Sequence, residues 1–152
     1  MSIFQGLGHV ALRVADLDAS TRFYNAIGFP EMLRLLDGKG EPWIVSHRIR
    51  DDLFLELFPG GAGPVPTEGT GLMHLCLTVD DIDRAEAELV KARLRLMRPR
   101  SDGRGVDGNR GMWIEDPDGH QIEIMEMAPD CIQNRAVLNL RDGGTPPALS
   151  LS

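Results

Sequence analysis

The stretch HVALRVADLD at residues 9–18 decides the fold, because it returns at residues 74–83 as HLCLTVDDID. The two copies begin 65 residues apart and share the histidine, three apolar positions, an aspartate, the aliphatic residue after it and the final aspartate. A repeat of this kind marks a supersecondary unit that occurs twice. The chain is therefore interpreted as two similar halves.

Each half is predicted to contain a strand, a helix, a weaker strand and a closing hairpin. After the repeated strand, apolar residues recur at i, i+3, i+7 and i+10, which is one stripe of a helix. The first helix is expected to end at Gly28, a good left-handed cap. The second is expected to begin near Asp83, with Glu86 in a capping-box spacing. The second hairpin carries the strong β-turn sequence Asp-Pro-Asp-Gly at 116–119.

These halves predict an α+β fold built from two βαβββ modules within one domain over residues 1–127. Module one covers 5–58 and module two covers 72–127. Eight of the 13 residues at 59–71 are glycine or proline, which predicts a linker. Residues 128–152 lack sustained periodicity, so we expect a C-terminal tail with one helical turn near 132–138.

The composition excludes several classes of partner. The 152 residues include 16 basic and 23 acidic side chains, for a net charge of −7. Neither a basic patch nor a basic helix face is evident, so we expect no nucleic-acid or membrane partner. Two cysteines are too few for a disulfide scaffold, and no apolar run approaches the length of a membrane span. We expect a cytoplasmic protein with a small-molecule substrate.

The predicted strands place four ionisable residues at related positions. On each strong strand one face is aliphatic, and the opposite face carries one ionisable side chain. These side chains belong to His9, Glu56, His74 and Glu123. A single histidine or glutamate on a strand is normally exposed or hydrogen-bonded, but four at repeat-related positions favour a shared divalent cation. Two imidazoles and two carboxylates suit zinc, nickel, cobalt, manganese or iron.

Three other side chains receive weaker interpretations. His47 is expected to be an exposed residue of a strand or hairpin. His120 lies in the turn beside the strand of Glu123 and is expected to support the site at most. Cys76 is expected to face the same cavity as His74, where a small apolar filler is the favoured interpretation.

Two alternatives stay open for the cationic side chains. Arg13 shares the face of His9 and is expected either to bind a substrate carboxylate or to form a salt bridge at the rim. The glycine-rich segment 101–111 contains Arg104 and Arg110. It is either a mobile lid or a flexible hairpin loop.

The repeated modules and the ending Asp-Pro-Asp-Gly-x-x-x-Glu at Glu123 resemble the vicinal oxygen chelate superfamily of glyoxalases, bleomycin resistance proteins and extradiol dioxygenases. The resemblance covers residues 5–127. It implies curved mixed sheets around a metal-binding cup, with the four residues named above as ligands. The carboxylate of Glu56 and the opening strand with Arg13 are most similar to glyoxalase I. The short chain is similar to bacterial forms that prefer nickel or cobalt.

This resemblance implies a metal-dependent lyase or isomerase of the lactoylglutathione lyase type. Its substrate would be a small carbonyl compound or hemithioacetal that reacts through a metal-stabilised enediolate, with Glu123 and Glu56 as catalytic bases. Gly60 stands where glyoxalase I has an asparagine that touches glutathione, so the substrate stays open. The alternatives are an Fe(II)-dependent extradiol dioxygenase, which would need His120 or His47 for proton transfer, or a metal-binding, drug-sequestering protein.

The resemblance also implies a homodimer. One module presents two ligands on an open sheet face, so two modules must meet to surround a metal, and the linker is long enough for them to pair within one chain or between two. In glyoxalase I the site forms between chains, so that His9 and Glu56 would face His74 and Glu123 of the partner subunit. Two-fold symmetry would then give two equivalent sites.

Overall fold

The computed structural model describes residues 6–66 and 71–145. Each predicted βαβββ unit is present in it, which confirms the α+β fold class. In chain order the elements are β1 (His9–Val14), α1 (Leu17–Ala26), β2 (Glu31–Leu36), β3 (Pro42–Arg50), β4 (Leu53–Pro59), β5 (Leu75–Val79), α2 (Ile82–Lys91), β6 (Leu96–Arg98), β7 (Arg110–Glu115), β8 (Gln121–Glu126) and α3 (Ile132–Arg141). None of these helices is long and apolar enough to cross a membrane.

The strands form two four-stranded mixed sheets with the same order. The first runs β1-β4-β3-β2 and the second β5-β8-β7-β6. In each sheet the first and last strands of the unit pair in parallel. Strand β3 pairs antiparallel with β2 and β4, and β6 pairs antiparallel with β7. The chain divides into two compact units. The first contains Met1–Met73 with Glu115–His120, and the second contains His74–Ile114 with Gln121–Ser152.

Alternation along the strands produces the core of each unit. In β1, Leu12 and Val14 are buried, while Ala11 and Arg13, which alternate with them, are exposed. The same alternation buries Leu55 and Leu57 in β4 and two isoleucines in β8. Each fully buried aliphatic side chain contributes about 1.5–3 kcal/mol relative to an exposed one. The opposite face is therefore free to carry polar residues without loss of the core.

Both repeated helices begin with an aspartate cap. The carboxylate of Asp16 accepts a hydrogen bond from the backbone N–H of Ala19, and Asp81 accepts one from Arg84. The predicted start near Asp83 was therefore two residues late. The predicted capping box was also wrong, because Glu86 accepts a hydrogen bond from the backbone N–H of Arg100.

The segment after module two contains a full helix rather than one turn. Helix α3 is ten residues long and begins after Cys131, whose thiol accepts a hydrogen bond from Asn134 N–H at 3.4 Å. None of its residues is buried. Its sequence also lacks the sustained apolar stripe that predicts a helix. Parts of the predicted linker and tail, at 67–70 and 146–152, lie outside the described residues.

The linker begins with a close backbone approach. Gly61 donates its N–H to the carbonyl of Val14 at 2.9 Å. A β-carbon at this position would lie 2.7 Å from the carbonyl carbon of Val14, which is closer than real side chains approach a backbone. Glycine is therefore required where the chain leaves β4 and passes the end of β1.

The ends of α1 and α2 differ at one repeat-related position. Gly28 follows α1 with a φ of 94°, and Arg93, 65 residues later, has a φ of 59°. A left-handed residue with a side chain is strained by about 1–2 kcal/mol, whereas glycine adopts this conformation readily. The second copy therefore keeps the left-handed turn but has arginine at the position where glycine would be unstrained.

We expect Arg93→Gly to raise the free energy of unfolding by about 0.5–1 kcal/mol, because it relieves this strain at a modest cost in unfolded-state entropy. Urea denaturation measures the change. The reciprocal variant Gly28→Ala should lower the free energy of unfolding by about 1 kcal/mol. Equal stability of Arg93→Gly and the parent chain would contradict the expectation.

Candidate functional site

Each unit contains one histidine paired with one glutamate. In the first unit, His9 Nε2 lies 3.7 Å from Glu56 Oε2. In the second, His74 Nε2 lies 3.4 Å from Glu123 Oε2. The structure therefore brings together the two predicted ligands of each module. We call these the first pair and the second pair.

Strand register places the two pairs in the same way. Glu56 lies directly opposite Ala11 in the parallel β1–β4 pairing, two residues after His9. Glu123 lies opposite Cys76 in the β5–β8 pairing, two residues after His74. Since residues i and i+2 share a face of a strand, each histidine lies beside its glutamate on the face away from the aliphatic core.

The donor atoms of each pair can reach a common cation. Protein nitrogen and oxygen ligands bind divalent transition metals at about 2.0–2.2 Å, so two neighbouring ligands are about 3 Å apart. The observed separations are slightly longer, and the side chains are accessible, from 20% exposed for Glu123 to 54% for His9. Among the described residues no three such side chains come together, so each unit offers two ligands.

Trp113 adjoins the second pair and was not predicted. Its ring lies 5.0 Å from the imidazole of His74, edge to face, and the guanidinium of Arg98 lies 4.6 Å from its centroid. It alternates with the buried Met112 and Ile114 of β7. This alternation is visible in the sequence, so Trp113 could have been predicted to lie on the face opposite the core.

A cleft of about 420 Å³ opens beside Glu123 within the second unit. A β-carbon on Gly111 would lie 3.6 Å from Glu123 Oε1, so this glycine leaves the carboxylate accessible. The cleft is also lined by Trp113, Met125, Arg104, Arg110, Asp107, Asn109, Ser101, Gly103 and Gly105. It is within the size range of small-molecule sites.

The model of the Glyoxalase/Bleomycin resistance protein/Dioxygenase superfamily matches residues 6–124. The chain belongs to this superfamily. It is 31% identical over 129 residues to a probable chloroplastic lactoylglutathione lyase of Arabidopsis thaliana, covering 80% of this chain but only 35% of that protein. It is 30% identical over 126 residues to a lactoylglutathione lyase of Haemophilus influenzae, covering 78% of this chain and 90% of that one.

Solved structures of the superfamily share this fold. A glyoxalase family protein from Enterococcus faecalis superposes with a TM-score of 0.68, covering 82% of this chain and 100% of that chain at 22% identity. This likeness shows that the two proteins share a fold.

Cys76 lies beside the second pair, opposite Glu123 in the β5–β8 pairing. Desolvation of its thiol, with the neighbouring charge of Glu123, raises the pKa of Cys76 to about 11. The thiol therefore stays protonated at neutral pH and is not an activated nucleophile. At the equivalent register position beside Glu56 the first unit has Ala11.

Among the described residues Arg13 does not form the salt bridge that was one of its two predicted roles. Its guanidinium donates a hydrogen bond to the backbone carbonyl of Pro59 at 3.0 Å and, within the described residues, forms no ion pair. The side chain is exposed on the face of His9. Only one of its five N–H donors is used in this contact, so the others are free to meet an anionic group.

The expectation of an exposed His47 was wrong. His47 is fully buried, and its Nδ1 lies 2.8 Å from the carbonyl oxygen of Phe29. In β3 it lies opposite the buried Leu55, which places it on the core face, and its ring packs 5.8 Å from that of Tyr24. It is a core residue on the face opposite the first pair.

His120 belongs to a buried network around Asp116. The carboxylate of Asp116 accepts hydrogen bonds from the hydroxyl of Tyr24 and contacts Nδ1 of His120, each at 2.9 Å. It also accepts from the backbone N–H of Asp118. The hydrogen bond with Asp116 raises the pKa of His120, and burial with the charge of Asp116 raises that of Tyr24. Tyr24 therefore remains a donor.

The segment 101–111 is anchored rather than free. Asn109 is buried. Its side-chain nitrogen donates hydrogen bonds to Asp107 at 2.8 Å and to Gln133 at 3.1 Å. Its side-chain oxygen accepts a hydrogen bond from the backbone N–H of Ala128. The two arginines that suggested a lid are engaged in ion pairs, Arg104 with Asp130 and Arg110 with Asp83. These contacts favour a fixed wall of the cleft over a mobile lid.

We expect His120→Gln to destabilise the fold more at about pH 6 than at about pH 9. A histidine whose folded pKa is raised stabilises fully below its unfolded value near 6.5, and that contribution is lost as pH rises through the folded pKa. The loss should be about 1–3 kcal/mol at the lower pH. Chemical denaturation at both pH values measures it, and an equal loss at each would contradict the assignment.

Proposed function

We propose that this protein is a metal-dependent lyase or isomerase of glyoxalase type, which transfers a proton from the carbon next to the carbonyl group of a small substrate to the carbonyl carbon. The observation that carries the proposal is the occurrence of His–Glu pairs in identical strand register in both units. Relatives named lactoylglutathione lyase support this class of reaction.

The residues of the two pairs fit one divalent cation. Together they supply two imidazoles and two carboxylates, a donor set that suits first-row transition metals. Nickel or cobalt is the favoured ion, with zinc, manganese and iron as the alternatives to be tested. Such a cation supplies Lewis-acid chemistry, stabilising the negative charge that develops on the substrate carbonyl oxygen.

Glu123 is proposed as the base that takes the proton from the carbon beside the carbonyl. It is one-fifth exposed and opens on the cleft of the second unit, so a substrate can reach it. Glu56 has the matching position in the first pair and would act on the other face of the substrate. The remaining donors of Arg13 are proposed to bind a substrate carboxylate.

The complete site is proposed to form in a homodimer. Each unit presents two of the four ligands, so one unit by itself does not surround a metal. The first pair of one subunit would meet the second pair of its partner, and two-fold symmetry would generate two such sites.

The competing dioxygenase reaction is less well supported. It requires a histidine free to transfer protons near the metal. His47 is buried on the core face, and His120 is engaged with Asp116. A drug-sequestering role does not account for the two His–Glu pairs. It becomes the conclusion if the protein binds metal without turning over a substrate.

We expect Glu123→Gln to lose bound metal and to abolish turnover, because the amide is both a poor ligand and no base. Metal content after loading with Ni²⁺, Co²⁺, Mn²⁺, Fe²⁺ or Zn²⁺ is measured by mass spectrometry. Activity on hemithioacetals and hydroxycarbonyl compounds is followed in deuterated water, where label should appear in the product at the carbon beside its carbonyl. Activity on catechols is followed by oxygen uptake.

Glu88→Gln is the matched control, because Glu88 is an exposed residue of α2 that loses the same charge. It should retain metal and activity. Unchanged metal content in both His9→Ala and His74→Ala would refute the ligand assignment. Stoichiometric oxygen uptake would assign the protein to the dioxygenase branch.

A mixture of His9→Ala and Glu123→Ala proteins should regain activity after subunit exchange, although each is inactive alone. In a mixed dimer with sites between chains, one site collects both defects and the other is intact. Random pairing makes half of the dimers mixed, so about a quarter of the sites should work. Absence of recovery despite demonstrated exchange, or a fully active monomer, would place the site within one chain.

A further inference from the structure

We infer that the cleft beside Glu123 binds an uncharged aryl or branched alkyl group of the substrate, stacked on Trp113. The inference rests on the proposed function in one respect, namely that the reacting carbonyl lies at Glu123. It adds the chemical class of the group attached to that carbonyl, and it identifies Trp113 as a specificity-determining residue.

The floor of the cleft is apolar next to the carboxylate. Trp113 of β7 and Met125 of β8 line it together with Glu123, and Met125 shares the strand face of Glu123 because it lies two residues later. Aromatic and thioether side chains provide large, polarizable contact surfaces. A cavity of about 150 Å³ already admits benzene. A cleft of about 420 Å³ therefore has room for a phenyl ring and the carbonyl beside it.

The cations that line the cleft are already neutralised. Arg104 donates to Asp130 at 2.8 Å, and Arg110 donates to Asp83 at 2.9 Å. An anionic substrate group would have to compete with these carboxylates for the charge of each guanidinium, which weakens its attraction to the cleft. Among the described lining residues there is no arginine or lysine without such a partner. Arg98 lies over Trp113 but is not one of the residues that line the cleft, so the charge balance of the lining itself favours a neutral group at this end of the substrate.

Trp113 is held in place for this role. Arg98 covers its ring at 4.6 Å, and His74 lies at 5.0 Å in an edge-on arrangement. These contacts fix the plane of the indole before a ligand arrives, so less conformational entropy is lost on binding. They also place the aromatic platform next to the second pair, where the substrate carbonyl is expected.

The test uses three probes of graded chemistry and isothermal titration calorimetry on the full chain. Phenacyl alcohol carries a neutral phenyl ring, hydroxyacetone has a methyl group in its place, and the para-carboxylate of phenacyl alcohol adds a negative charge. We expect phenacyl alcohol to bind at least about tenfold more tightly than hydroxyacetone, from the additional apolar area buried. The carboxylated probe should bind more weakly than phenacyl alcohol.

Trp113→Leu should weaken binding of phenacyl alcohol by about 2- to 10-fold, as expected for loss of an aromatic pair. Binding of hydroxyacetone should change little. Trp43→Leu is the matched control, because Trp43 is a 53% exposed tryptophan of the other unit. It should leave all three affinities unchanged. The ranking of the three probes on the parent chain tests the inference even where Trp113→Leu fails to fold.

The measurements are made on metal-free and on Ni²⁺-loaded protein, which separates the two proposals. Aryl preference that depends on Trp113 in metal-free protein supports the cleft, whether or not the protein later turns over substrate. Equal binding of phenacyl alcohol and hydroxyacetone overturns the inference, as does tighter binding of the carboxylated probe. Sensitivity to Trp43→Leu in place of Trp113→Leu would likewise overturn it, because the ring would then bind in the other unit.

Discussion

Parallel pairing between the first and last strands of each unit sets the position of every candidate ligand. The pairing joins residues that are about 45–50 positions apart in the chain, and its register leaves each glutamate two residues ahead of the histidine on the neighbouring strand. A shift of one residue would move the whole apolar set from the core face to the solvent face. Burial of Leu55, Leu57, Ile122 and Ile124 therefore fixes the geometry of groups that contribute nothing to the core themselves.

A second constraint is the buried carboxylate of Asp116. Its side chain is fully inaccessible, and such a charge would be costly without several donors around it. The tyrosine hydroxyl, the imidazole of His120 and two backbone N–H groups supply them. Asp118, at the other end of the same turn, accepts from the backbone N–H of Ala15. The β-turn is thus an anchor for the first unit as well as a link between two strands.

The sequence was sufficient where the information is local or repeated. Strand alternation and the repeated Asp16 and Asp81 positions predicted most of the fold, and the shared polar faces predicted both His–Glu pairs. The burial of His47 was not predicted, because the sequence of β3 does not indicate which of its two faces packs against the core. Helix α3 was predicted only as a single turn, because it has no buried stripe and its cap is an unusual cysteine. The anchoring of 101–111 depends on Asn109 meeting Gln133, a contact between distant residues that no local pattern reveals.

The two halves share the residues that each needs to fold, but they differ in the residue that neighbours the glutamate carboxylate. Both retain the histidine, the aspartate cap and the glutamate, but Ala11 neighbours Glu56 while Cys76 neighbours Glu123. A centre assembled from one pair of each kind would have two chemically unequal sides. A planar carbonyl bound there would present only one of its faces to each carboxylate, so the product would form with a single handedness.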